Sequence, residues 1–412
     1  MNLEKSLIYR FDLMAKYLYI YAKDKKLKTK FFKELYQKHI KTFNNCYEHP
    51  GTKNNIDEFI NEFDKLITSI KNDGFDSNYP IKIGINDVIV NGAHRLMSSY
   101  YYNKTPIFSR KNEMGNENYN YNFFLNRKIN PPLQQLYTDT MALECIKHNS
   151  NLRCMIVYPI AFQYNKFEQL IRLINNYGNI YYSKSINLTH KGINNLVKEL
   201  YREEKWIGGL FPKGWSPGGK AQRCVARQVY PTMFILIHMK DLLKCDELKE
   251  HCRGLFNIGK HSLHISDFKK DTFRIASSLL NENSIHFLNN GTNDISLNTK
   301  NLLTNYFNKL GENNEDFCLT SSLIMEMYGL RQANDIDYLH KNNMEINLKD
   351  IGLHNGKWEN YYNVHKDEII YNPKNHFYFN GFKFANLDII KKMKENRREP
   401  KDISDIKMII EI

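Results

Sequence analysis

Residues 317–340 read FCLTSSLIMEMYGLRQANDIDYLH. The pattern predicts a strand, a tight turn, a short helix and a second strand carrying Asp335-Ile336-Asp337. Side chains two apart on a strand share a face, so Asp335 and Asp337 project together while Ile336 enters the core. Two neighbouring carboxylates repel one another unless a cation lies between them. A hard, oxygen-liganded ion, Mg²⁺ or Mn²⁺, meets that demand; it keeps waters and takes ligands from substrate phosphates. Thr320, Ser321 and Ser322 fall where the first strand turns into the helix, a suitable place to receive a phosphate. An Asp-x-Asp alone is also the mark of a solvated strand end, so its surroundings matter.

Those surroundings favour a site. The segment resembles the nucleotidyltransferase superfamily, whose core carries a Gly-Ser before a short helix and an Asp-x-Asp on the next strand. Here Ser321-Ser322 and Asp335-Ile336-Asp337 hold those positions, with Ser321 in place of the glycine. The resemblance runs on through NHFYFNGFKFANLDIIKKMKENRREPKDISDIKMI at 375–409. That stretch predicts a hairpin turning at Asn380-Gly381, an amphipathic helix, and a tail with Lys401-Asp402 and Asp405-Ile406. Small nucleotidyltransferases end similarly, with a Lys on this helix (here Lys394) and a following Lys-Asp closing over the site. The resemblance covers roughly the last quarter of the chain. It implies Asp335 and Asp337 as catalytic metal ligands, Asp350 as third carboxylate with Glu368 in reserve, and Ser321, Ser322 and Lys394 against substrate phosphate.

At 412 residues the chain exceeds one ordinary domain, and 42% hydrophobic with 13% aromatic residues supplies several cores. The net charge of +13 favours an anionic partner: nucleotide, phosphorylated sugar, acidic polysaccharide or nucleic acid. Nucleic acid is disfavoured because the basic residues are spread along the chain. The Asn, Lys, Ile and Tyr bias is what an AT-rich bacterial genome produces. Seven cysteines, odd in number and without paired zinc spacing, suit a reducing compartment. The N-terminus lacks the apolar core and small-residue cleavage site of a secretory signal, and no apolar run is long enough to span a bilayer. These features predict a cytoplasmic protein with no transmembrane segment, with the inner membrane surface as a further location.

Towards the N-terminus, residues 1–70 read as helices, with Ile56, Phe59, Ile60, Phe63, Leu66, Ile67 and Ile70 on one face. Strands follow over 81–83 and 88–90, with a turn at Asn86-Asp87 between them. A helix then opens at Gly92-Ala93-His94-Arg95. Backbone N–H groups there, beside Arg95, make an anion pocket. The motif Ile89-Val90-Asn91-Gly92-Ala93-His94-Arg95-Leu96 resembles the ParB/sulfiredoxin-like fold, in which an (Asp or Asn)-Gly-x-His-Arg turn cradles nucleotide phosphates. That implies His94 and Arg95 as phosphate-binding residues. In the competing reading, His94 merely caps the helix and Arg95 pairs with a surface carboxylate.

Between Asn130-Pro131-Pro132 and Asn289-Asn290-Gly291, strands expected over 155–160, 180–183, 232–238 and 262–266 alternate with helices over 167–175, 193–201, 248–256 and 272–280. The loop over 208–220 is basic and Gly/Pro-rich but lacks P-loop spacing. The run from Arg253 to Asp267 distantly resembles the Arg-Gly-x-Phe … His-x-Ser-Asp region of nucleoside diphosphate kinases. That implies a ferredoxin-like core, His264 as a catalytic histidine and Arg253 as a phosphate ligand. A structural histidine hydrogen-bonded to Asp267 is the competing reading.

The expectation is an α/β (α+β) chain with small mixed sheets flanked by helices, in three domains over 1–130, 150–292 and 295–412. The leading function is a metal-dependent nucleotidyl- or phosphotransferase that moves a group from a nucleotide-activated donor to a sugar or surface-polysaccharide (capsule) precursor. A nucleotide-dependent small-molecule kinase centred on His94-Arg95, and a non-enzymatic nucleotide- or nucleic-acid-binding protein, are the alternatives.

Overall fold

The computed structural model describes residues 3–48, 51, 53–84, 87–110, 118–127, 132–209, 219–292, 294–310 and 315–412. About 53% of the chain is helical and 15% strand, in three small sheets flanked by helices, so the fold class is α/β (α+β) and multidomain. No helix among the described residues is long and apolar enough to cross a membrane.

The chain divides into two compact units, Met1–Ser150 and Asn151–Ile412. In the first, Asn55 caps the helix Ile56–Asp73 by accepting from the Glu58 N–H at 3.0 Å. Phe59, Ile60, Phe63, Ile67 and Ile70 form its buried face. Strands β1 (Ile81–Ile83), β2 (Ile89–Asn91) and β3 (Phe108–Arg110) make a sheet of order β2-β1-β3. Its β1–β2 pair is antiparallel and its β1–β3 pair parallel. Of the expected Asn86-Asp87 turn, Asn86 lies outside the described residues, as do Asn130 and Pro131.

The second unit holds two sheets. Strands β4 (Leu152–Val157), β5 (Gly178–Ile186), β6 (Thr232–Met239) and β7 (Leu263–Ile265) are antiparallel throughout, in the order β5-β6-β4-β7. That is two interleaved β-α-β connections. One face of this sheet (Met155, Val157, Ile235, Ile237, Leu263, Ile265) packs on Leu170, Ile174, Leu248 and Phe256 from the helices Phe167–Tyr177 and Cys245–Phe256. β4 ends earlier than the apolar run suggests, because Pro159 opens the short helix Pro159–Phe162.

The other sheet comprises β8 (Phe317–Thr320), β9 (Ile336–His340), β10 (Ile351–Leu353), β11 (His376–Phe379) and β12 (Phe382–Ala385), ordered β10-β9-β8-β12-β11. The β8–β9 pair is antiparallel and β9–β10 parallel. Asn380 and Gly381 both adopt positive φ, +53° and +78°, the turn that matches hairpin twist.

The boundary expected near 292 does not separate these sheets. Asn281 and Gly291 are not linker residues; they cap the helix Glu282–Asn290. That helix packs Phe287 on Phe377, with ring centroids 4.6 Å apart. Its Ser284 hydroxyl accepts from the Tyr378 N–H at 2.8 Å. The Asn380 hairpin tip joins the same seam. Its N–H donates to the fully buried Glu199 at 2.6 Å, and its carbonyl accepts from Arg202 at 2.7 Å. Turn-forming residues therefore act here as caps inside a shared core.

Candidate functional site

β8 ends at Thr320, which the antiparallel register sets opposite Asp337 on β9. The chain then turns through Ser321, at φ +65° and ψ −140°, before the helix Ser322–Met327. A side chain is strained there, and glycine would not be. Ser321 hydrogen-bonds the Asp337 carboxylate, and the Ser322 hydroxyl lies 3.4 Å from Asp335 Oδ1. Ile336 is fully buried between an exposed Asp335 and an Asp337 that is 8% exposed.

Burial, then the charge of Asp335, pushes the Asp337 carboxyl up to about 6. Ser321, Arg397 and Lys401 oppose that rise. Gly352 lies opposite Asp337 on β10, and a Cβ there would sit 3.1 Å from Asp337 Oδ1. The next outward residue but one, His354, places Nε2 3.2 Å from the same oxygen. His354 Nδ1 faces the buried Tyr362 hydroxyl at 3.2 Å, which is 3.0 Å from Thr320 Oγ1. Burial holds the imidazole down to about 4, so it is neutral near pH 7. The consistent assignment has Tyr362 donating to Nδ1 and the Nε2–H donating to Asp337. A histidine orienting a carboxylate in this way is the behaviour of a second layer around an ion site.

Asp335 and Asp337 are the residues that could hold a hard divalent cation. Asp337 carries an unneutralised charge penalty, and two carboxylates are enough when waters and substrate phosphates complete the octahedron. Among the described residues, no three His, Cys, Asp or Glu side chains converge to hold a metal by themselves. Asp350 is exposed in the left-handed region at φ +60° and gives β9 its carbonyl, which accepts from the Ile336 N–H at 2.9 Å. Glu368 accepts from Asn372 one turn along. Neither supplies the expected third carboxylate.

Lys394 is also corrected. It is fully buried and salt-bridged to Asp405 at 2.6 Å and Asp402 at 3.3 Å. Arg331 grips Asp405 at 2.6 and 2.7 Å, and Arg397 grips Asp402 at 3.0 and 2.8 Å. Residues 400–410 are thus a helix pinned by its aspartates, not a loose tail. The cations that reach the field of Asp337 are Arg397 and Lys401.

The N-terminal motif lies at one cavity. His94 is half-buried, with Nε2 3.0 Å from the Tyr36 hydroxyl and its ring 4.5 Å from Phe63. Burial keeps it well below the usual imidazole range. Arg95 donates to the Tyr79 carbonyl at 2.7 Å and to Asn91 at 3.2 Å. Arg95 and His94 both line a cavity of about 280 Å³ that also contains Lys53, Glu48 and Glu62, and the two acids weaken it as a phosphate cradle.

In the middle sheet, His264 is 8% exposed on edge strand β7 and held down to about 3, first by burial and then by Lys249, Lys220, Arg253 and Arg274. Asp267 does not orient it, because that carboxylate pairs with Lys249. Arg253 pairs with Glu250 at 2.8 Å. Most of the 208–220 loop lies outside the described residues.

His354, Tyr362, Gly352 and Arg397 escaped the reading of the sequence. The three-residue β10 is too short to show a period, although a Gly-x-His following an aspartate-bearing strand was a visible cue. No known family model matches this chain, and no curated protein is significantly similar to it.

Proposed function

We propose that this chain is a metal-dependent nucleotidyl- or phosphotransferase of the nucleotidyltransferase type, acting on a sugar or surface-polysaccharide precursor with a nucleotide-activated donor. The observation that carries the reading is the Asp335–Asp337 pair, set against the strained Ser321 turn and backed by His354. Serine holds there a backbone conformation suited to the glycine of the resembling family, which supports the alignment of motifs. A bound Mg²⁺ or Mn²⁺ supplies charge neutralisation on the phosphorus oxygens. The chain's own residues do the rest. Asp335 and Asp337 would hold the ion, His354 and Ser321 fix Asp337, and the exposed Lys401 offers positive charge to the donor phosphates, while Arg397, pinned to Asp402, adds its field at Asp337.

The kinase reading loses support because the His94 imidazole is engaged by the Tyr36 hydroxyl and the cavity beside it carries Glu48 and Glu62. Native mass spectrometry of nucleotides retained by the full chain, with and without Mg²⁺, tests the proposal. A metal-dependent nucleotide is expected on the wild type and absent from Asp335→Asn/Asp337→Asn. Equal retention without metal, or duplex DNA binding that falls steeply with salt in its place, would refute it.

A further inference from the structure

A second set of unspent groups lies around Lys220. This side chain is 5% exposed, and among the described residues no carboxylate pairs with it. Its ammonium donates to the Lys260 carbonyl at 2.8 Å and lies over the rings of Tyr201 and Tyr158, 4.8 and 5.5 Å from their centroids. Burial pushes it down to about 8, and Lys260 and Arg253 add to the depression. Keeping a lysine charge out of water with no acid beside it is costly.

Its neighbours are also incompletely used. Arg253 Nε is buried with no hydrogen-bond partner, and so is His261 Nδ1. The Tyr158 and Tyr201 hydroxyls are buried and coupled, yet neither completes a well-formed hydrogen bond. The acids nearby, Glu250 on Arg253 and Asp267 on Lys249, sit on the exposed outer side, with side chains 69% and 52% exposed. Lys220 thus lies within electrostatic reach of both Arg253 and His261, where positive charge is in excess.

We propose that Lys220, Arg253 and His261, walled by Tyr158 and Tyr201, form a second anion site that takes the phosphoryl group of a nucleotide or phosphosugar. A phosphoryl group presents three acceptor oxygens in a tetrahedral spread, which suits donors arriving from several directions. A planar carboxylate would leave some of them unpaired. The site needs no metal and stands apart from the carboxylate pair on β9. It does not depend on the transferase reading.

The test is calorimetric titration of the full chain in EDTA with inorganic pyrophosphate, then separately with ATP and with glucose 1-phosphate. The wild type is expected to bind pyrophosphate, and Lys220→Met and Arg253→Gln to bind it at least tenfold more weakly. Tighter binding of ATP assigns the phosphoryl group to a nucleotide, and tighter glucose 1-phosphate to a phosphosugar; either result upholds the site. Lys220→Met removes an unpaired buried charge, so its melting temperature should hold or rise. If that variant does not fold, Arg253→Gln, altered at a more exposed position, decides. The site is overturned if none of the three probes binds the wild type at millimolar concentration, or if both variants bind as well as it does.

Discussion

At the scale of single residues, the site is built on strain in Asp337 and Ser321. Asp337 keeps its proton to about pH 6 in the folded chain, whereas an unfolded aspartate loses it near 3.8. Unfolding therefore releases that proton between the two values. Stability is unimpaired below the lower value and declines as pH rises through the upper one. Without metal, Asp337→Asn should match the wild type at pH 4 and exceed it by on the order of 3 kcal/mol at pH 7.5. Urea denaturation in EDTA at the two pH values checks this, and equal stability at both would remove the charge penalty from the account. Ser321 supports a second expectation. Ser321→Gly should leave stability unchanged or raise it, whereas Ser321→Val should cost about 1–3 kcal/mol at its positive φ, readable in the same denaturation series.

At the scale of elements, the C-terminal helices are locked by charges that resemble a binding site in sequence alone. Lys394 sits between Asp402 and Asp405, and breaking a buried pair from one side costs about 3–5 kcal/mol. Lys394→Met should therefore lower the melting temperature sharply while leaving nucleotide affinity, in the molecules still folded, close to wild type. A variant that folds normally but loses nucleotide would return Lys394 to the site. The helices of long period, such as Ile56–Asp73, were legible because a single apolar face suffices to define them. So were the β8–β9 unit, where alternation placed Ile336 inside and the aspartates beside it, and the Asn380-Gly381 hairpin, whose turn chemistry is specific. What stayed hidden depended on contacts distant in sequence. His354 acquires its role only when three residues of β10 pair with β9. Lys394 and Arg397 both pair with Asp402, and only the fold shows that Lys394 is fully buried while the field of Arg397 reaches Asp337. Asn281 and Gly291 read as punctuation because a cap and a linker use the same residue types.

At the scale of the whole molecule, a buried acid is one of the contacts that join the two sheets of the unit Asn151–Ile412. Glu199 accepts from Arg274 at 2.9 Å and from the Asn380 N–H at 2.6 Å. Glu199→Gln should destabilise both sheets together by about 3 kcal/mol, and hydrogen exchange should show protection falling in β6 and β12 alike. Loss confined to one sheet would restore a domain boundary near 292. The central claim concerns the aspartates of β9. The most direct measurement is Mn²⁺ binding to the full chain, followed by electron paramagnetic resonance in the presence of a nucleoside triphosphate. The account predicts a protein-bound ion on the wild type, at least tenfold weaker binding in Asp335→Asn and in Asp337→Asn, and an intermediate loss in His354→Ala. Wild-type affinity retained in both aspartate variants would contradict it.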